Sequence, residues 1–313
     1  MNDQQMINHV RGLLVPAEPP PHLRGRVDRM IAGSTRSAPR RSWRLATIGA
    51  GAAVGVFALL IGQVVGINGE LPAGSARAAE ILHRAADAAR ADQTPAPRAD
   101  QFILTTTKNY GPVVGQKGLA ATLTRSWASV DGTRDGLIWV SDPPPGGRQS
   151  TVIPGCRDGR AAEWAPDGSL LKSTRPCTPT PAYPNNVPTD TTGMLSYLRR
   201  ASGGTASSDE QTFANLEELV RGYLPAQSRA ALYEAATKIP GVIASPSITD
   251  AAGRAGVGVS LIGDIDRYDL IFEPQTYRFL GWQVVPNAEN AADPVRSAAI
   301  LSIDIVDRAE QMP

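Results

Sequence analysis

The chain has 313 residues, with 31 basic and 30 acidic side chains and a formal net charge of +1. After Arg44 the remainder carries 27 acidic and 23 basic residues, which excludes a nucleic-acid surface driven by bulk charge in that part. Three histidines and two cysteines leave little material for histidine-based catalysis or a zinc site.

Residues 2–14 and 21–33 read as two short helices separated by "PAEPPP", which no helix tolerates. With Arg11, Arg24, Arg26, Arg29, Arg36, Arg40, Arg41 and Arg44 against Asp3, Glu18 and Asp28, residues 1–44 form a basic segment that buries little. It is a solvated tail, a strip lying on an anionic leaflet, or a peptide that folds on a partner.

From Leu45 to Ile67, 23 consecutive residues carry no charge. As a helix at about 1.5 Å per residue they cover about 34 Å, enough for a hydrocarbon core of about 30 Å. The arginines before the run place the N-terminus in the cytoplasm and the rest outside, with Arg40, Arg41, Trp43 and Arg44 as the membrane-anchor flank. The expected location is therefore the cell membrane, single-pass. A second reading stands beside it. Arg40-Arg41 followed by an Ala/Gly-rich run looks like a twin-arginine export signal, with Ala76-Arg77-Ala78 as a cleavage site. Within the run, Gly51 with Gly55, and Gly62 with Gly66, are spaced for close helix contact and a homodimer through the anchor, a spacing that Gly/Ala-rich composition also produces unaided.

Residues 68–99 are predicted as a juxtamembrane helix, Ser75 to Asp92, and a linker. Ala79, Ile81, Leu82, Ala85, Ala86 and Ala89 fall on one face and Glu80, Arg84, Asp87 and Arg90 on the other. Residues 100–313 are the extracytoplasmic domain. "QFILTTTK" is a strand; "LAATLTRSWASV" and "GLIWVSD" flank the turn "DGTRD"; "AAEWA" and "SLLKS" flank "PDG". This last hairpin brings Cys156 and Cys177 together, and a disulfide is predicted in an oxidising compartment.

A helical middle follows: "PTDTTGMLSYLRRAS" capped by Thr189 or Asp190, "SSDEQTFANLEELVRGYL" capped by Ser207 or Ser208, and "PAQSRAALYEAATKIPG" with Pro225 in its first turn. The C-terminal meander contains "VIASPSITD", "RAGVGVSLI", "RYDLIFE", "YRFLGWQVV" and "VRSAAILSIDIVD". Val257, Val259 and Leu261 mark one buried face of the second, and Leu301, Ile303 and Ile305 the inward face of the last. The fold class is α+β: a single N-terminal transmembrane helix, then an exported antiparallel sheet, half-barrel-like, with helices on one face.

"AAEILHRAADAA", "DQFILTTT", "RAALYEAATKIPGV", "DAAGRAGVGV" and "LIFEPQTYRFLG" resemble a family of single-pass actinobacterial membrane proteins often encoded beside extracytoplasmic-function sigma factors. The family has no assigned catalytic residues to carry over. More loosely, the meander is similar to the half-barrel of lipoprotein carriers and of periplasmic regulators that bind anti-sigma factors, a resemblance at the level of fold.

Catalytic signals are sparse. His83, alone of the histidines in the exported part, sits between the helix-face partners Glu80 and Asp87, and no G-x-S-x-G occurs. Asp264 and Asp266 read as a hairpin turn. Trp127, Trp139, Trp164 and Trp282 are candidates to line a pocket, and equally to fill a core. The leading expectation is a membrane-anchored, non-catalytic binding or regulatory module without cofactor or metal. Its partners are the lipid bilayer and a lipophilic ligand or an envelope or regulatory protein, not nucleic acid. An anti-sigma-like regulator acting through the N-terminal segment and a cell-envelope hydrolase are the alternatives.

Overall fold

The computed structural model describes residues 73–112, 118–141, 149–165, 169–200, 208–264, 266–286 and 296–313. The basic segment, the apolar run and its flank at Arg40, Arg41, Trp43 and Arg44 lie outside the described residues. So do the four helix-contact glycines expected in the anchor, Gly51, Gly55, Gly62 and Gly66. No helix among the described residues is long and apolar enough to cross a membrane.

Helix α1, Ala73–Arg90, buries Ala78, Ile81, Leu82, Ala85, Ala86 and Ala89. The expected stripe is thus correct except that Ala78 takes the place of the half-buried Ala79, a rotation of one position. Its outer face is laced by Arg84 to Glu80 at 2.8 Å and Arg90 to Asp87 at 2.8 Å.

Strands β1 (Phe102–Pro112), β2 (Leu119–Ser129), β3 (Gly136–Val140) and β4 (Ser150–Ile153) form one antiparallel run. The sequence reading assigned no element to β4, because four residues after a Pro/Gly-rich stretch give too short a pattern to recognise. Strands β5 (Arg160–Trp164) and β6 (Leu170–Pro176) form a separate two-stranded ribbon. Helices α2 (Thr191–Arg200), α3 (Asp209–Val220) and α4 (Ala226–Ala236) follow. Asp190 accepts from the Gly193 amide at 2.8 Å and Ser208 from the Gln211 amide at 3.2 Å, so each helix takes one of its two expected caps. Pro225 stands one position before α4, at its N-cap, rather than inside the first turn.

The C-terminal strands are β7 (Val242–Thr249), β8 (Ala255–Ile262), β9 (Asp266–Phe272), β10 (Phe279–Pro286) and β11 (Arg296–Val306). The two blocks join into one open sheet of nine antiparallel strands, in the order β4-β3-β2-β1-β11-β10-β9-β8-β7. First and last strands are neighbours, paired from Phe102↔Val306 to Tyr110↔Ser297.

The main core lies between the four helices and one face of β7 to β10, around Leu82, Phe213, Leu232, Leu270 and Phe272. Burying this face supplies most of the hydrophobic driving force, since each large apolar side chain contributes about 2 kcal/mol. A smaller cluster on the opposite face joins Phe102, Leu104, Trp127, Leu137 and Val306.

Two departures from simple alternation shape the sheet. On β8 both faces are covered: Val259 and Leu261 face the helices, while Ser260, fully buried on the other face, meets Ser245 at 2.7 Å. On β11 a bulge at Leu301 shifts the register between Thr106 and Thr107, and Leu301 is exposed. The expected inward trio of Leu301, Ile303 and Ile305 is corrected by that extra residue, which breaks the two-residue period.

Candidate functional site

Strand β10 carries an irregularity of its own at Leu280, directly beside the bulge of β11. The two strands pair from Val284↔Arg296 to Gly281↔Ala299 and no further. They come together closely at Gly281, where an added Cβ would collide with the Ala298 carbonyl oxygen, so only glycine fits. Beyond that point the carbonyls of Leu280 and Ile300 accept instead from Nη2 of Arg254, at 3.1 and 2.9 Å. Asp250, with a fully buried side chain, holds Arg254 at 2.6 Å and also accepts from the amides of Ala252 and Arg254, each at 2.9 Å. This satisfies the carbonyls that the interrupted ladder leaves over.

A cavity of about 600 Å3 opens at this place, between the ends of α1 and α4 and strands β10 and β11. Ala85, Ala89, Tyr233, Phe279, Ile300 and Ile303 give it apolar walls. Tyr233 is fully buried and packs edge-on against Phe272 at 5.5 Å, which in turn meets Phe279 at 5.7 Å. Burial pushes the Tyr233 phenol well above its ordinary range, so it stays neutral.

The polar residues at the cavity come as matched charges. Arg229 pairs with Asp92, Arg254 with Asp250, and Arg278 stands 4.0 Å from Glu273. The Thr94 hydroxyl donates to Asp92 at 2.6 Å; with the Thr94 amide and the Arg229 guanidinium it holds the Asp92 carboxyl down to about 2, against an opposing push from burial. The β9–β10 turn closes one side through Tyr277, whose φ of 56° is a left-handed conformation costly for a large side chain. Arg84 of α1 lies 5.2 Å over the Tyr277 ring, and this contact with the helix layer helps to hold that conformation.

The four tryptophans are dispersed, and none of them lines this cavity. Trp127 is buried on the face away from the helices, its Nε1 donating to the Gln311 carbonyl at 2.8 Å. Trp139 shares that face beneath Arg125, 5.1 Å away. Trp282 packs on the helix side under Arg221 at 4.5 Å, and Trp164 stands half in solvent on β5. Cys156 and Cys177 form the expected disulfide.

His83 pairs with neither Glu80 nor Asp87, as its sequence neighbours suggested, but with Glu234 of α4 at 2.9 Å. No group of three or more metal-ligating side chains occurs among the described residues. A buried carboxylate does occur: Glu217 of α3, raised by burial although Arg221 stands 2.8 Å away. The sequence reading placed Ala85, Ala89 and Ile303 on inward faces without joining them into a site, and it did not single out Glu217.

No family model matches the sequence, and no curated protein matches it. Among solved structures, the complex of MucA with MucB from Pseudomonas aeruginosa gives a match at 15% identity and a TM-score of 0.29, covering 75% of this chain and 59% of that one. A putative outer membrane lipoprotein-sorting protein domain from Vibrio parahaemolyticus matches at 10% identity and a TM-score of 0.25, covering 74% of this chain and 93% of that one. A LolA superfamily protein from Nitrosomonas europaea matches at 8% and 0.22, covering 75% and 94%. The chain spans less than two thirds of the MucB chain it matches.

Proposed function

We propose that this chain is a non-catalytic binding module of the cell envelope, which holds a lipophilic ligand between its helical layer and its sheet. The observation that carries the reading is the cavity of about 600 Å3 with apolar walls where β10 and β11 part. Its volume lies within the roughly 300–1,000 Å3 of typical small-molecule sites. The paired charges at its edge suit an uncharged or zwitterionic head group better than a strongly anionic one, because each arginine there already has a carboxylate.

The 23-residue uncharged run and its arginine flank support a membrane tether with the domain outside, and the Cys156–Cys177 disulfide agrees with an oxidising compartment. Ligand occupancy would then be reported to a partner at the membrane, which makes the module regulatory.

Native mass spectrometry of the full chain released from detergent tests this. The expected result is a single retained lipid adduct, lost in Ile303→Trp, which fills the cavity. Protein that carries no adduct, or an adduct unaffected by the filling substitution, overturns the reading.

A further inference from the structure

The ribbon of β5 and β6 is built unlike the rest of the domain. Every residue of β6 is exposed, with Leu171 at 44% and Leu170 at 37%, and Trp164 of β5 is 48% exposed. Leu170 is the register partner of Trp164, and the indole Nε1 of Trp164 donates to the Val152 carbonyl on β4 at 3.3 Å. Val152, itself 37% exposed, extends the apolar patch.

A two-stranded ribbon with no core of its own is marginal in water. This one is fixed by polar and covalent means. The disulfide closes its base, Arg160 donates to the Thr174 hydroxyl and carbonyl at 2.6 and 2.7 Å, and Ser173 donates to Glu163 at 2.6 Å. Three large apolar side chains are thereby kept in solvent on an element stapled in place, the arrangement of a contact surface rather than of a core.

The open edge identifies the kind of contact. Among the described residues strand β6 is paired on one side only, with β5, so the backbone groups of alternate residues, up to Pro176, which lacks an N–H, point to its other side. Leu170, Lys172 and Thr174 alternate with Leu171, Ser173 and Arg175 across the two faces, and no acidic residue lies on the strand. We propose that the outer edge of β6 receives an extended, acidic segment of a partner protein as a third strand. Apolar side chains of that segment lie on the face of Trp164 and Leu170, and its carboxylates on the other face, with Arg175.

A second copy of this chain is a poor occupant, because edge-to-edge pairing would line the seam with the two cations of each copy and no anion. Lysine and proline on an edge ordinarily guard against indiscriminate pairing. Here the same charges select the sign of the partner. This surface is separate from the cavity and does not depend on how the cavity is used.

Amide hydrogen exchange on the full chain in detergent tests the proposal with three seven-residue peptides: valine alternating with glutamate, valine alternating with lysine, and the glutamate peptide N-methylated at alternate positions. The glutamate peptide is expected to slow exchange of residues 170–175 by about tenfold or more, as closure of a ladder does, while the other two leave it unchanged. In the double variant Lys172→Glu, Arg175→Glu the preference reverses to the lysine peptide, with the unfolding temperature unchanged because both residues are exposed. Absence of slowing by any peptide, or equal slowing by both charges, overturns the proposal. Protection that grows with protein concentration alone would identify a second copy instead. Protection by phosphatidylglycerol vesicles but by no peptide would identify a membrane surface.

Discussion

Glu234 lies 2.9 Å from Nδ1 of His83, and through this contact α4 is joined to α1 by residues 151 positions apart. The same carboxylate reaches Arg90 at 3.1 Å, so one side chain clasps α1 at two points almost two turns apart. Replacing it by glutamine keeps the shape and removes the charge. Glu234→Gln is expected to lower stability by about 1 kcal/mol, since the pairs are partly exposed. Chemical denaturation at low and high salt checks this, and the difference from the parent should shrink as salt rises.

Arg254 answers a larger demand. Its removal leaves Asp250 buried without its counter-charge and the carbonyls of Leu280 and Ile300 without their donor. Arg254→Ala should cost about 3 kcal/mol or more. Arg254→Lys should recover only part, because an ammonium cannot reproduce the planar fork. Equilibrium unfolding of both variants is the measurement, and a loss below about 1 kcal/mol in the alanine variant would contradict the assigned role.

Asp92 makes stability depend on pH in a defined window. Its folded pKa of about 2 lies below the ordinary value of 3.8, so the ionised form is the one the fold favours. The contribution is complete above about pH 4 and disappears as the pH falls towards 2. Because the pair is partly open to solvent, it amounts to about 1 kcal/mol. In Asp92→Asn the unfolding free energy should be lower by that amount at about pH 7 and equal to the parent near about pH 2.

The disulfide closes a loop with a sequence separation of 21. Changing both cysteines to serine should lower stability by about 3 kcal/mol in the chain-entropy account. Proteolysis should then cut first within residues 157–176, because the ribbon has no apolar core to hold it once unstapled.

Most elements were legible because periodicity and caps are local. Asp190 and Ser208 announced helices, and alternation announced β8. What escaped depends on pairing at a distance. A bulge is defined only against its neighbour, so Leu301 read as core until β1 fixed the register. The partner of His83 lay on a helix packed across from it, invisible to i, i+4 reasoning. The cavity draws on Ala85, Tyr233 and Ile300, which no spacing rule connects. The four tryptophans looked alike in sequence, and only register separates the buried Trp127 and the half-buried Trp139 from Trp282 on the opposite face.

The adjacency of β1 and β11 has a consequence for biogenesis. The seam that unites the two halves of the sheet needs residues 102–110 and 297–306 together, so nearly the whole polypeptide must be synthesised before it can close. Such long-range closure is slow. A chain emerging N-terminus first can pair β1 with β2 but waits with the other edge of β1 open, and assistance against premature association matters most in that interval.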